Sequence, residues 1–149
     1  MSDASADDLL RGLLDVEEIK RLKARYFRTL DHKDWQGFGE VFTRDAVLEV
    51  PEASLVARGR DAIVASVSGP LKGSRTVHHG HMPEIELTGP DTARGTWAMS
   101  DYVEWPQFDS GSRVGLTGYG HYLEEYARED GEWRIASLRL VRLRVDPLK

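Results

Sequence analysis

Three of the chain's five histidines fall within four residues, in the segment TVHHGHMPEIEL at positions 76–87. Imidazole exchanges a proton near neutral pH, so this cluster is a candidate for a general base or for a metal site. On a regular strand His79 and His81 share one face, and His78 lies on the other. The chemistry of the segment therefore depends on which face of the strand meets the core.

A zinc site is the first alternative, because two imidazoles on one face of a strand can bind the same ion. Such a site needs at least a third protein ligand and supporting contacts around it. Glu84 and Glu86 are near in sequence, but regular strand alternation places both opposite His79 and His81. We therefore predict no metal, and we expect at least one of the histidines to be a half-exposed strand residue.

A catalytic base is the second alternative, and it points to His78. Strand alternation places His78 opposite Ile85 and Leu87, which are expected to face the core. Only a bulge near Gly80 or Pro83 would bring His78 inward together with them. Periodicity alone does not choose among the three histidines.

Two polar residues on the first predicted helix could serve such a base. Tyr26 lies on an apolar stripe between Leu22 and Leu30, where a core tyrosine is the common case. Its hydroxyl could instead point into a cavity and polarise a carbonyl group. Asp31 lies at the end of the helix, where a loop or cap role is common. It could instead orient a histidine or take a proton.

Two charged residues on later strands are further candidates. Asp101 shares a strand face with Trp97 and Met99, and a buried carboxylate there needs a partner such as a histidine on the neighbouring strand. Arg142 shares a strand face with Leu138 and Leu140, and its ordinary role would be a snorkelling or salt-bridged side chain. The functional alternative is a positive charge that stabilises a developing anion.

The elements that must position these residues change character along the chain. Helical spacing predicts a helix over about residues 16–31 with Asp15 as its N-cap, and shorter helices capped by Asp34 and Asp61. The predicted strands are Ala46–Val50, Val77–Leu87, Ala93–Trp105, Val114–Arg128 and Trp133–Val145.

Turn signals separate the long strands of the second half: Gly89-Pro90-Asp91, Asp109-Ser110-Gly111 and Asp130-Gly131. Helices followed by such strands predict an α+β fold, in which a strongly curved antiparallel sheet wraps around about three N-terminal helices. A cone of this kind encloses a pocket, and dimerisation would cover its exposed sheet face. Trp97 and Trp105 share one strand face and could serve either the pocket or that interface.

Length and composition limit the class of protein. The 149 residues form one predicted domain, with residues 1–14 as a flexible or short helical N-terminus. The net charge is −5 and no basic patch with interleaved aromatic residues occurs, so we expect no nucleic-acid partner. The apolar runs are too short to cross a membrane. The absence of cysteine excludes disulfides and thiolate chemistry, and it fits a cytoplasmic location.

Four stretches together resemble the SnoaL-like branch of the NTF2-like superfamily: KRLKARYFRTLDHKDW, TVHHGHMPEIEL, GTWAMSDYVEW and YAREDGEWRIASLRLVRLRV. The likeness runs from about residue 15 to about residue 146. Within the branch it is greatest to the bile acid 7α-dehydratases and, more distantly, to the scytalone dehydratases. It implies a cone-shaped α+β barrel, usually dimeric, with a deep apolar pocket.

The resemblance also implies a set of site residues. The tyrosine and aspartate of a Y-x4-D helix fall on Tyr26 and Asp31, and the histidine of an H-x-G-H-x-P-E-I segment falls on His78. An aspartate on the next strand falls on Asp101, and an arginine near the end of the last strand falls on Arg142. The likeness therefore selects one histidine of the three and requires the bulge described above.

The activity that the resemblance implies is a cofactor-independent dehydration by general acid–base catalysis. His78 is expected to take an acidic proton next to a carbonyl group of a small hydrophobic, polycyclic or aromatic substrate, with no metal or organic cofactor. The same groups could serve a ketosteroid-type isomerase or a retro-aldol C–C lyase. A non-catalytic small-molecule-binding protein on the same fold is a further alternative.

Overall fold

The computed structural model describes residues 4–106 and 113–149. Its helices are α1 (Ala6–Asp31), α2 (Trp35–Glu40) and α3 (Arg60–Ser68), with a 3-10 turn at Pro51–Ala53. Its strands are β1 (Phe42–Val50), β2 (Leu55–Arg58), β3 (Arg75–Leu87), β4 (Thr92–Trp105), β5 (Val114–Glu129) and β6 (Glu132–Pro147). The α+β class is confirmed, and the predicted turn at residues 109–111 lies outside the described residues.

All six strands form one curved sheet in the order β2-β1-β6-β5-β4-β3. The prediction of an antiparallel sheet was wrong in one place, because β1 and β6 pair in parallel. The other neighbouring pairs are antiparallel. The parallel pair arises because the last strand returns across the sheet and inserts beside the first. Such a pairing needs a long connection, and here α3 and β2–β5 supply it.

Helix α1 begins ten residues earlier than predicted, because Ser5 caps it. The Ser5 hydroxyl accepts from the Asp8 backbone, and the Asp8 carboxylate accepts from the Ser5 backbone in return. Residues 6–14, predicted as a flexible or short helical terminus, are thus one continuous helix with the rest of α1. Asp15 is not a cap. It is buried mid-helix, where it accepts from Arg128 and from Trp133 Nε1.

We expect the Asp15→Ala substitution to lower the free energy of unfolding by about 2–3 kcal/mol, because it leaves the Arg128 guanidinium and the Trp133 indole without their acceptor. Urea denaturation followed by circular dichroism measures the change. The exposed Asp7→Ala is the control, with an expected change within about 0.5 kcal/mol. Equal stability of the Asp15 variant and the unmodified chain would contradict an ion pair that fastens α1 to the sheet.

The short helices follow the predicted signals in part. Asp34 caps α2 as predicted, and its carboxylate accepts from the Gly37 backbone at 3.0 Å. Asp61 does not cap α3 but lies in its first turn. The capping position belongs to Gly59, which has φ of +90°. A positive φ favours glycine, so Gly59 takes the capping position. The helix therefore starts at Arg60, one residue before the predicted capping aspartate.

The concave face of the sheet packs against α1 through an aromatic cluster. The Tyr26 ring lies within about 6 Å, centroid to centroid, of Phe27, Phe38, Phe42 and Tyr122. Irregularities in the register of β3, β5 and β6 interrupt the regular ladder, and bulges of this kind bend a sheet. The Asp130-Gly131 hairpin is confirmed, with positive φ at both residues.

The two tryptophans of β4 face different surroundings. Trp97 is buried in the core, where its indole donates to the Tyr126 hydroxyl at 2.9 Å. Trp105 lies at the strand end and donates to the Pro70 carbonyl at 2.9 Å. Within residues 4–106 and 113–149, no helix combines the length and the apolar character that crossing a membrane requires.

Candidate active site

A bulge in β3 turns His78 toward the core. The register with β4 shifts between His81 and Glu84, and Met82 has φ of +26°. His78 is therefore buried, with 8% of its surface exposed, and lies on the same side as the partly buried Ile85. The predicted bulge is confirmed, and of the three histidines it turns only His78 toward the core.

The same bulge corrects the prediction about the other face. Glu84 and Glu86 lie on the exposed side together with His79 and His81, not opposite them. The rings of His79 and His81 lie 6.3 Å apart, and His81 Nε2 is 3.3 Å from the Ser100 hydroxyl. Among the residues that the structure describes, no three His, Asp or Glu side chains are arranged to hold a metal ion.

Asp31 holds the His78 ring from the end of α1. Its Oδ1 lies 2.7 Å from His78 Nδ1, and its Oδ2 accepts from the His78 backbone at 3.0 Å. The Thr76 hydroxyl donates to Asp31 Oδ1 at 2.9 Å, and Lys33 Nζ donates to that hydroxyl at 2.8 Å. The carboxylate is thus fixed from three sides, and it fixes the imidazole in turn.

These contacts lower the pKa of Asp31. Burial raises it, but the hydrogen bonds from the His78 ring and backbone and from Thr76 outweigh burial and hold the pKa below its usual 3.8. A carboxyl group whose folded-state pKa lies below its unfolded value adds stability above the unfolded value. We therefore expect the advantage of the unmodified chain over Asp31→Asn in thermal unfolding to shrink as the pH falls below about 4. A difference independent of pH would contradict these contacts.

Asp101 approaches the other edge of the same ring. It pairs directly with His78 in the register of β3 and β4, and its Oδ2 lies 3.9 Å from His78 Nε2. The Asp101 carboxylate is buried and accepts from Arg142, whose other nitrogen binds Glu52 on the 3-10 turn. His78 therefore lies between two carboxylates, of which Asp31 is hydrogen-bonded and Asp101 stands slightly apart.

Arg142 remains charged in this setting. Burial lowers its pKa, but the hydrogen bond and the charge of Asp101, together with those of Glu52, raise it above its usual value. Within the described part of the chain, Asp101 Oδ1 and Arg142 Nε have no hydrogen-bond partner. The pair thus carries one free acceptor and one free donor, and both atoms lie close to Gly118.

Gly118 makes room for this ion pair. A Cβ atom built there would overlap Asp101 Oδ1 and lie 2.6 Å from Arg142 Nε. We expect Gly118→Ala to lower the free energy of unfolding by about 1–3 kcal/mol, because the pair must shift. Gly12→Ala is the matched control, since a Cβ there meets Leu87 at an ordinary 3.5 Å. Because Gly12 lies in a helix interior, Gly12→Ala should raise the free energy of unfolding by up to about 1 kcal/mol. Equal effects of Gly118→Ala and Gly12→Ala on urea denaturation would contradict the close approach at Gly118.

Tyr26 lies beside this chain of ionic groups, within the aromatic cluster. It is buried, and burial raises the pKa of its hydroxyl, with Glu124 adding to the rise and a hydrogen bond from Tyr122 opposing it. The charges of Asp101 and Arg142 also act on this pKa. Four of the five predicted residues are thus linked by direct contacts: Asp31, His78, Asp101 and Arg142. The fifth, Tyr26, is close enough for the charges of Asp101 and Arg142 to act on its hydroxyl group.

His78 and Asp31 also line a shallow depression between α1 and β3, of about 520 Å³. Phe27, Gly80 and His81 are among its other lining residues. Phe27 packs so closely on Gly80 that a Cβ at this glycine would lie 2.8 Å from the ring. This close approach fixes α1 on β3 one turn before Asp31, so it sets the distance between Asp31 and His78.

Several contributing residues were missed by the sequence interpretation. Thr76, Lys33 and Glu52 have polar side chains in loops or at strand ends, and no sequence pattern marks their partners. Lys23 and Glu124 could have been found from the sequence, because each is a charged residue at an apolar position. Both occupy positions of apolar periodicity, Lys23 on the core stripe of α1 and Glu124 on the core face of β5, and both are buried.

Comparison with known proteins agrees with this architecture. The family model described as SnoaL-like domain matches residues 11–139. The curated protein named "Probable cyclase FGR4" from Gibberella zeae is 27% identical over 135 residues, which cover 84% of this chain and 89% of that protein.

Solved structures of other proteins also resemble this chain. A protein of unknown function from Mycobacterium tuberculosis is 28% identical, with a TM-score of 0.76 over 91% of this chain and 76% of that one. A scytalone dehydratase-like protein from Novosphingobium aromaticivorans is 20% identical, with a TM-score of 0.81 over 93% of this chain and 91% of that one. The latter likeness shows the cone-shaped NTF2-like fold. By its family match and its architecture, the chain belongs to the SnoaL-like domain family.

Proposed function

We propose that this protein is a cofactor-independent enzyme that removes a proton next to a carbonyl group by general acid–base catalysis, and that its reaction is a dehydration. The observation that supports this proposal is the position of His78 between Asp31 and Asp101. The cyclase and dehydratase names of similar proteins are consistent with a family that converts small molecules.

The base in this proposal is the Nε2 atom of His78. With Asp31 accepting the Nδ1 proton, the neutral ring carries its free lone pair on Nε2, toward Asp101. When Nε2 takes the substrate proton, the ring becomes a cation between two carboxylates. Asp101 then stabilises that cation from 3.9 Å, while Arg142 keeps Asp101 in place.

The remaining steps follow from the same groups. Tyr26 donates a hydrogen bond to the substrate carbonyl oxygen, which takes up negative charge as the proton leaves, and Arg142 supports that charge. The enolate electrons then expel a β- or vinylogous hydroxyl group. The proton held by His78 joins it, so water leaves and the base is regenerated. The substrate carbonyl itself stabilises the carbanion, so the proposal includes no metal or organic cofactor.

The substrate in this proposal is a small hydrophobic ketone with a polycyclic or aromatic skeleton. The ring of Phe27 supports such a ligand, because it lines the depression beside His78 and Asp31. An isomerase would return the proton to another carbon and keep the hydroxyl, and a retro-aldol lyase would break a C–C bond. A non-catalytic binding protein would have no use for the ionic chain at His78.

We also propose a homodimer that covers the outer face of the sheet. Leu123 and Tyr119 of β5 are more than 40% exposed there, and Leu123 lines a groove of about 670 Å³ across the outer face. Light scattering after size exclusion should give twice the chain mass of 16.8 kDa. Leu123→Glu should then give a monomer, and a monomeric unmodified chain would contradict the dimer.

The proposed activity can be tested without knowledge of the natural substrate. 2-Tetralone is a bicyclic aromatic ketone with acidic protons next to its carbonyl group, and proton removal in D2O replaces them by deuterium. We expect the protein to accelerate this exchange, as followed by proton NMR. Hydroxylated polycyclic ketones are then screened by mass spectrometry for loss of water. Exchange at the rate of buffer alone, together with no water loss across the screen, would contradict the proposal.

A further inference from the structure

A buried ion pair lies beneath Tyr26 and takes no part in the steps above. Lys23 of α1 donates to Glu124 of β5 at 2.9 Å, and both side chains are at most 1% exposed. Glu124 also accepts from the Tyr126 hydroxyl at 2.9 Å, and that hydroxyl accepts from Trp97. Each side-chain nitrogen and oxygen of this network has at least one hydrogen-bond partner, and the core encloses all four side chains.

The lysine cation of this pair is sandwiched by the two phenol rings nearest the site. Lys23 Nζ lies 3.6 Å from the centroid of Tyr26 and 3.7 Å from that of Tyr122. A cation on the face of an aromatic ring is attracted to it, most strongly where water is excluded. It also draws electron density from the ring, so the phenol hydroxyl becomes a stronger hydrogen-bond donor.

Stability alone gives a weak reason for this arrangement. A buried ion pair loses the hydration of both charges, and its replacement by apolar residues of similar volume is often neutral or stabilising. A core filled by phenylalanine, tyrosine and leucine would accept such a replacement here. The position of the cation against Tyr26 and Tyr122 offers a functional reason.

We propose that Lys23 is a positioning residue for the reaction. Its cation polarises the hydroxyl groups of Tyr26 and Tyr122, so that this tyrosine pair donates a stronger hydrogen bond to the substrate carbonyl oxygen. The inference rests on the proposed function and extends it by three residues: Lys23, its counter-ion Glu124 and the second tyrosine, Tyr122. Tyr122 is buried and in contact with Tyr26, with ring centroids 5.8 Å apart.

The effect should depend on the charge of Lys23. Burial lowers the pKa of Lys23 to about 8, against the attraction of Glu124. Besides Lys23, the ionisable groups that act on the tyrosine pair are Glu124 of β5, Asp101 of β4 and Arg142 of β6. When Lys23 loses its proton, Glu124 is left uncompensated, and its negative charge opposes polarisation of the hydroxyl groups.

The first experiment reads this coupling directly and needs no substrate. Tyrosine labelled with carbon-13 at Cζ gives one NMR signal for each of the five tyrosines, assigned with Tyr26→Phe and Tyr122→Phe. We expect the Tyr26 and Tyr122 signals to move in one step as Lys23 titrates. In Glu124→Gln the step should move to lower pH by about one unit, because the cation loses its counter-ion. In Lys23→Met/Glu124→Gln the step should vanish.

The second experiment measures the consequence for the reaction. We expect the double variant Lys23→Met/Glu124→Gln to exchange 2-tetralone protons about 10- to 30-fold more slowly at pH 7, while keeping its thermal unfolding temperature. The matched control is Glu86→Gln/Arg94→Gln, which removes one anion and one cation from an exposed pair. That control should keep the full rate.

The outcomes separate this inference from the proposed function. If the Tyr26 signal ignores the Lys23 titration, or if the double variant keeps full exchange, the role of Lys23 is overturned while the proposed function stands. If the unmodified chain exchanges no ketone protons, the proposed function fails. The Cζ titration still decides whether Lys23 polarises the tyrosine pair.

Discussion

The His78→Ala variant is expected to lose most of its ketone exchange, by about 10²–10⁴-fold, while remaining folded. The loss follows because Nε2 is the atom that takes the substrate proton, and no other imidazole lies between Asp31 and Asp101 in the part of the chain that the structure describes. The measurement is the rate of deuterium incorporation into 2-tetralone, with circular dichroism as the check on folding.

The matched control for this variant is His121→Ala on β5. His121 is half-buried and does not line the depression beside His78 and Asp31, so its removal should leave the rate unchanged. Added free imidazole should restore part of the rate of the His78 variant, since it supplies a base of the same kind. Equal rates for the His78 variant and the unmodified chain would place the base elsewhere.

The Asp31→Asn variant is expected to be almost as damaging, with a loss of up to about 10⁴-fold. An amide nitrogen facing Nδ1 donates a hydrogen bond where the carboxylate accepted one. The ring then carries its proton on Nε2, the atom that must be free to act as base. The predicted signature is a change of tautomer in the nitrogen-15 NMR spectrum of labelled histidine, together with slow exchange of 2-tetralone.

Thr76→Val is the companion to the Asp31 variant. It removes one of the three hydrogen bonds that hold Asp31 but keeps the carboxylate and its contact with His78. We expect a loss of about tenfold or less, with the tautomer unchanged. An Asp31→Asn variant that retains full activity and the same tautomer would contradict the role of this carboxylate.

The class of fold was predictable because helical and strand periodicity separate cleanly along this chain. The errors have local causes. The parallel pairing of β1 with β6 depends on contacts between residues about 90 positions apart, such as Leu48 and Leu138. The cap of α3 depends on a left-handed glycine. The first turns of α1 were missed because Asp15 was interpreted as the N-cap, whereas Ser5 and Asp8 form the capping box.

The candidate site was predictable only with the help of the family likeness. Alternation places His78 outward until a bulge at Met82 reverses it, and a methionine with positive φ is not a bulge signal in a sequence. The pairing of His78 with Asp101 follows from strand register, which periodicity does not fix. The closer likeness to bile acid 7α-dehydratases stays a prediction.

In the proposed mechanism Asp31 fixes His78 so that its Nε2 is free to accept a substrate proton. The most direct test is the long-range nitrogen-15 spectrum of histidine-labelled protein at neutral pH, with the His78 signals assigned from the His78→Ala variant. We expect a neutral ring that is protonated on Nδ1 and carries its lone pair on Nε2. A neutral ring protonated on Nε2 would contradict it, because that nitrogen could then donate a proton but could not remove one.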